Sequence, residues 1–220
     1  TLFRSYAVTG PNGDFALDNM KIVETVVATD GTLGVGGNLG ASSGNDTALV
    51  YTSGVLDAKD GNDVITSTYQ GANSQGGALY GGARDDTLIG LTNYNNKFVG
   101  GAGADILDLN GGNNTVQWSV TASGTAASDS NSTAKDYVYD FSASNDALVV
   151  VATEVRSFNA STDVTVTQVA RDLADPLAGG SSTFTQMGLN LDGTAGATGT
   201  GDLLVEFRGT YAQSDFLAAM

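Results

Sequence analysis

Gly100 to Asp108 reads GGAGADILD, and this nine-residue stretch decides the fold. Three other stretches repeat it in weaker form: ASSGNDTAL from Ala41, AKDGNDVIT from Ala58 and GGARDDTLI from Gly81. Each has a glycine-rich turn, an aspartate, and then a triplet centred on an apolar residue. That apolar position can be followed alone as Leu39, Ala48, Leu56, Ile65, Leu79, Leu88, Phe98, Leu107 and Val116. The steps are 9, 8, 9, 14, 9, 10, 9 and 9, with one insertion between Thr68 and Gly77. An amphipathic helix would show spacings of 3 and 4 instead.

A fixed period of about nine residues predicts a repeat architecture. Each unit supplies a tight turn and a three-residue strand whose middle side chain points inward. Two units then make one coil of about 18 residues, and successive coils lie ~4.8 Å apart in two parallel sheets. The inward apolar residues form a narrow core that no coil can bury alone. The expected class is all-β: a parallel β-solenoid with strand-rich flanks.

The residue two places before each apolar position is, in order, Gly37, Asp46, Gly54, Asp63, Gly77, Asp86, Asn96, Asp105 and Asn114. Aspartate falls on every second turn, and alternate turns lie on opposite edges. Asp46, Asp63, Asp86 and Asp105 are therefore expected to stack along one edge, with Gly and Asn along the other. Two carboxylates ~5 Å apart repel by ~3 kcal/mol at an effective dielectric of ~20. A cation between turns removes that repulsion. Calcium suits such a site, because it takes about 6–8 oxygen ligands in flexible geometry, whereas magnesium demands a rigid octahedron. Gly44, Gly61 and Gly103 would let the backbone curl towards the ion, and Asp60 and Asp85 could add oxygens. Arg84 stands where the pattern calls for glycine.

Composition narrows the chemistry further. The chain has 220 residues, 24 acidic against 9 basic, with no Cys and no His. A net charge of −15 is unsuited to nucleic acid or an anionic membrane surface. The lack of Cys and His removes disulfides, most zinc sites and imidazole catalysis. No apolar run approaches the length of a membrane span. No nucleophile–base pair is apparent in the remaining residues, so the chain reads as non-enzymatic. It starts on Thr1 without a recognisable secretory leader, which reads as a processed chain or a fragment.

The repeated units resemble the calcium-binding nonapeptides of RTX proteins, which form parallel β-rolls and leave the cell by type I secretion. GGAGADILD matches G-G-x-G-x-D-x-U-x at every specified position, and the resemblance covers about 80 residues. It implies calcium, about three or more ions, held between turns by carboxylates and backbone carbonyls. The candidate ligand set over the four turns is Ser43, Gly44 and Asp46, then Asp60, Gly61 and Asp63, then Gly81, Ala83 and Asp86, then Gly101, Gly103 and Asp105. Family members often carry calcium on both edges; here the Gly/Asn edge is expected to be ion-poor, with Asn96 and Asn114 read as turn formers.

The expected organisation is an N-terminal β extension or cap over 1–36, the calcium-binding β-roll over 37–118, a linker over 119–134, and a β-rich C-terminal region over 135–220. KIVETVVAT (Lys21 to Thr29) reads as strand. Trp118 is expected to seal a core. KDYVYDFSASNDALVVV reads as two strands about a turn at Ser144 to Asp146, and DVTVTQV, STFTQMGLNLDG and DLLVEFRG read as further strands. YAQSDFLAAM reads as an acid followed by an exposed apolar tail, similar in style to type I secretion signals. The implied function is an extracellular or bacterial cell-surface structural component (surface layer, filament or adhesin) that self-associates and folds on meeting calcium. The competing reading is a non-catalytic C-terminal module of a larger secreted hydrolase. Ice binding is disfavoured, because the outward residues are irregular: Val64 and Thr66, then Thr87 and Ile89.

Overall fold

The computed structural model describes residues 15–16, 26–28, 38–40, 44–51, 54–68, 76–120, 129–152, 159–171, 177, 182–190 and 203–220. Among them the chain is largely all-β, with two mainly parallel sheets and two short helices. Eleven strands come first: β1 Phe15–Ala16, β2 Val26–Ala28, β3 Asn38–Gly40, β4 Thr47–Tyr51, β5 Val55–Asp57, β6 Val64–Thr68, β7 Ala78–Ala83, β8 Thr87–Ile89, β9 Lys97–Ala102, β10 Ile106–Asp108 and β11 Thr115–Val120. Then come β12 Asp136–Tyr139, β13 Ala147–Ala152, the helix α1 Ala160–Asp163, β14 Val164–Arg171, β15 Ser182–Leu189, β16 Leu203–Arg208 and the helix α2 Gln213–Ala219.

Up to β13, consecutive strands alternate between the sheets. The odd strands make one sheet, β1-β3-β5-β7-β9-β11-β13, and every pairing in it is parallel. The even strands make the other, β2-β4-β6-β8-β10-β12, also parallel, extended by β16, β15 and β14. β16 joins β12 in parallel, and the last two pairings are antiparallel.

The register follows the spacing of the apolar positions. In the odd sheet Leu39, Leu56, Leu79, Phe98 and Val116 are successive partners, and the ladder continues to Leu148. In the even sheet Ala48, Ile65, Leu88 and Leu107 are successive partners, continuing to Val138 and Phe207. The nine-residue period therefore carries the chain from one sheet to the other at each step. The middle residue of β5, β8 and β10 is buried and its neighbours are half-buried, as side-chain alternation on a strand requires. Leu107 is fully buried. Leu107→Ala is expected to cost about 2–5 kcal/mol, read as a lower denaturant midpoint at unchanged slope.

β12 and β13 continue this frame: β12 extends the even sheet and β13 the odd one. The strand expected in Lys21 to Thr29 is described over Val26–Ala28, and the rest of that stretch lies outside the described residues. Trp118 is fully buried against Phe207 in a T-shaped contact with centroids 6.4 Å apart. The expectation of an exposed C-terminal tail is corrected. That segment contains α2, whose Phe216 and Ala219 are buried while Leu217 and Met220 are exposed. Phe216 stacks on Phe141, at 5.8 Å, and packs on Phe207 at 4.8 Å. The apolar residues of a short amphipathic helix divide between two faces, which a reading of linear hydropathy does not separate. No helix among the described residues is long and apolar enough to cross a membrane.

Candidate metal centre

Asp46, Asp63, Asp86 and Asp105 stand just before β4, β6, β8 and β10, and all four are buried. They form a hydrogen-bonded ladder. The backbone N–H of Asp46 donates to Asp63 Oδ1 (2.6 Å), that of Asp63 to Asp86 Oδ1 (2.8 Å), and that of Asp86 to Asp105 Oδ1 (2.9 Å). The ladder goes one rung further than the sequence reading, because Asp105 N–H donates to Asp136 Oδ1 at 3.1 Å. One oxygen of each of these acceptors thus satisfies the neighbouring turn.

The other oxygen is a different matter. Oδ2 of Asp63, Asp86 and Asp105 is buried with no hydrogen-bond partner. Unpartnered buried carboxylate oxygens are costly unless a proton or a cation meets them. Burial is the main cause pushing these carboxyls up, to about 6 for Asp63, about 7 for Asp86 and about 8 for Asp105. Neighbouring aspartates push the same way, and the backbone N–H donors oppose it.

These oxygens provide the fit test for a cation. A Cβ built on Gly81 would lie 2.4 Å from Asp86 Oδ2 and 2.5 Å from the Gly100 carbonyl oxygen. One built on Gly100 would lie 2.2 Å from Asp105 Oδ2. At both turns the glycine backbone thus lies directly against a buried carboxylate oxygen, where a side chain would crowd it, and at Gly81 the Gly100 carbonyl oxygen is close by as well. Carboxylate and carbonyl oxygens are the hard donors that calcium prefers. The residues present fit the ion. Among the described residues no group of three or more acidic side chains forms a ready-made cage. An ion here would rely on carboxylates from adjacent turns completed by backbone carbonyls.

The remaining expected ligands divide. Gly81 lies against Asp86 Oδ2 as described. Gly101 and Gly103 stack on the Gly82 and Arg84 carbonyls of the preceding coil, and Gly61 on that of Gly44. The Ala83 carbonyl accepts the Gly61 N–H at 3.1 Å. Asp60 Oδ1 accepts from Arg84 Nε at 2.9 Å in an exposed pair, so a fixed cation already sits on that carboxylate. Arg84 itself holds φ +83°, in the region that glycine favours. Asp85 Oδ1 accepts the Ala104 N–H at 2.9 Å. Ser43 lies outside the described residues.

The opposite edge is built differently. Asn96 N–H donates to Asn114 Oδ1 and Asn114 N–H to Asp146 Oδ1. The Asn96 amide nitrogen reaches the Leu91 and Tyr94 carbonyls, and that of Asn114 reaches the Leu109 and Gly111 carbonyls. Asp146 Oδ2 accepts the Ser142 N–H. Amides that donate as well as accept satisfy this edge internally, which acceptor-only carboxylates cannot do.

Sequence reading missed Asp136, Asp146 and Gly100. Asp136 and Asp146 obey the same rule as the rest, two residues before the inward Val138 and Leu148. The long insertion after Val120 hid the phase. Gly100 is the first glycine of the best repeat. Comparison with protein-family models, curated proteins and solved structures finds no match to this chain.

Proposed function

We propose that the chain forms a calcium-binding parallel β-roll of the RTX type, and that it serves outside the cell as a structural building block for a surface layer, filament or adhesin. The observation that carries this reading is the set of three stacked, buried and unpartnered oxygens on Asp63, Asp86 and Asp105. Calcium between successive turns would meet them, with Gly81 and Gly100 bringing backbone close to the Asp86 and Asp105 oxygens. Three or more ions would thread the aspartate edge, and the self-satisfied asparagine edge would hold none.

The mechanism is metal-coupled folding. Where free calcium is scarce, stacking the aspartates buries uncompensated charge, and a chain of net charge −15 stays expanded. An expanded chain is suited to export through a type I channel. At millimolar calcium outside, ion binding contributes directly to folding free energy. A column of buried carboxylates in a chain with neither Cys nor His supports the structural role over an enzymatic one.

The test is a calcium titration followed by far-UV circular dichroism and limited proteolysis. With excess chelator at pH 8 the segment 39–116 is expected to lose its β signal and to be cleaved. Added calcium restores both signals, and magnesium at the same concentration does not. Identical spectra and cleavage patterns with chelator and with calcium would sink the proposal.

A further inference from the structure

We propose that Trp118 is the stopper of the cation column: its indole N–H takes the Asp136 oxygen that an ion would otherwise meet, so Asp136 holds no metal although it belongs to the aspartate ladder. This rests on the calcium reading above and deepens it, by saying where the ions end.

The comparison is position by position. Leu79, Phe98 and Val116 are register partners on β7, β9 and β11. Two residues after each stands Gly81, Gly100 and Trp118. Gly81 lies directly against Asp86 Oδ2 and Gly100 against Asp105 Oδ2, and with no side chain neither gives that oxygen a hydrogen-bond donor. At the third step Trp118 Nε1 donates to Asp136 Oδ2 at 2.7 Å. Both residues are fully buried, in keeping with a bond made in the core. Asp136 therefore has both oxygens partnered, Oδ1 by the Asp105 N–H and Oδ2 by the indole. Its own N–H is closed off by the Ser130 hydroxyl at 2.8 Å in place of another aspartate. Tryptophan suits this role chemically. Its N–H donates and never accepts, it carries no charge, and its apolar ring is suited to burial in the core while the N–H reaches a partner.

The experiment counts calcium bound at saturation by equilibrium dialysis for the wild type, Asp105→Asn and Asp136→Asn, and follows the indole resonance by NMR. The chain has a single Trp, so the indole N–H gives one signal. Asp105→Asn is expected to lose at least one ion per chain, and Asp136→Asn to keep the wild-type number. In the wild type the indole N–H is expected to remain protected from solvent exchange at saturating calcium. An Asp136→Asn chain that loses an ion as Asp105→Asn does would overturn the stopper. So would an indole N–H released into fast exchange as calcium fills the wild type, a readout that stands even if Asp136→Asn does not fold. A wild type that takes up no calcium overturns the calcium reading and this inference together.

Discussion

Gly101→Ala is expected to destabilise the folded chain by on the order of 3 kcal/mol or more, even with calcium saturating. Gly101 holds φ +100°, and a Cβ there would lie 2.0 Å from the Gly82 carbonyl oxygen and 2.9 Å from its carbon. Both obstacles are backbone of the adjacent coil, so no side-chain rotation relieves them. β7 and β9 would have to part at the point where Gly82 and Gly101 are register partners. Gly111→Ala is the matched control. Gly111 also holds a positive φ, +72°, but its added Cβ would meet only Asn93 Oδ1 at 3.4 Å. That substitution is expected to cost about 1 kcal/mol, from backbone strain alone. Equal costs in denaturant titrations would mean that the coils are not stacked as closely as described.

The second large effect is an inverted pH dependence when calcium is removed. The unpartnered aspartates have raised folded-state values, so the folded chain holds protons that the unfolded chain has released. Where the native state binds more protons, stability falls as pH rises. The penalty is absent below about pH 4. It accrues as pH climbs through the folded values of about 6, 7 and 8 for Asp63, Asp86 and Asp105, and is complete above them. For Asp63 the rise from 3.8 to about 6 amounts to about 3 kcal/mol, at ~1.4 kcal/mol per pH unit. In chelator the β signal is therefore expected to be retained better at pH 5 than at pH 8, where it is lost. In saturating calcium the order reverses, because protons then compete with the ion for the same oxygens. Asp86→Asn should flatten the chelator profile. A β signal that does not change between pH 5 and pH 8 in chelator would mean that these carboxylates find other partners.

Much of this arrangement was legible in the residues. The nine phased apolar positions became the two register ladders, because a short strand with one inward side chain leaves a one-residue mark at each coil. The aspartate edge was legible for the same reason: a residue two places before the inward one lies at the turn, and alternate turns share an edge. Asp136 and Asp146 escaped because the stretch after Val120 breaks the period, and phase cannot be carried across an insertion of unknown path. The division of labour between the two carboxylate oxygens was not legible either. It depends on which atom faces the neighbouring turn and which faces Gly81, Gly100 or Trp118. Trp118 looked like a core residue, and it is one. Only the register of β7, β9 and β11 reveals that it stands where the two preceding coils have Gly81 and Gly100. The buried face of α2 was hidden because Phe216 and Ala219 are separated from Leu217 and Met220 by rotation about the helix and not by sequence.

The central claim is that the open aspartate oxygens hold calcium. The most direct test is a crystal structure grown in millimolar calcium, with anomalous scattering used to find the ions. Cations are expected at about 2.3–2.6 Å from Oδ2 of Asp63, Asp86 and Asp105, and none beside Asp136. Well-ordered carboxylates with only water, or nothing, at those three oxygens would contradict it.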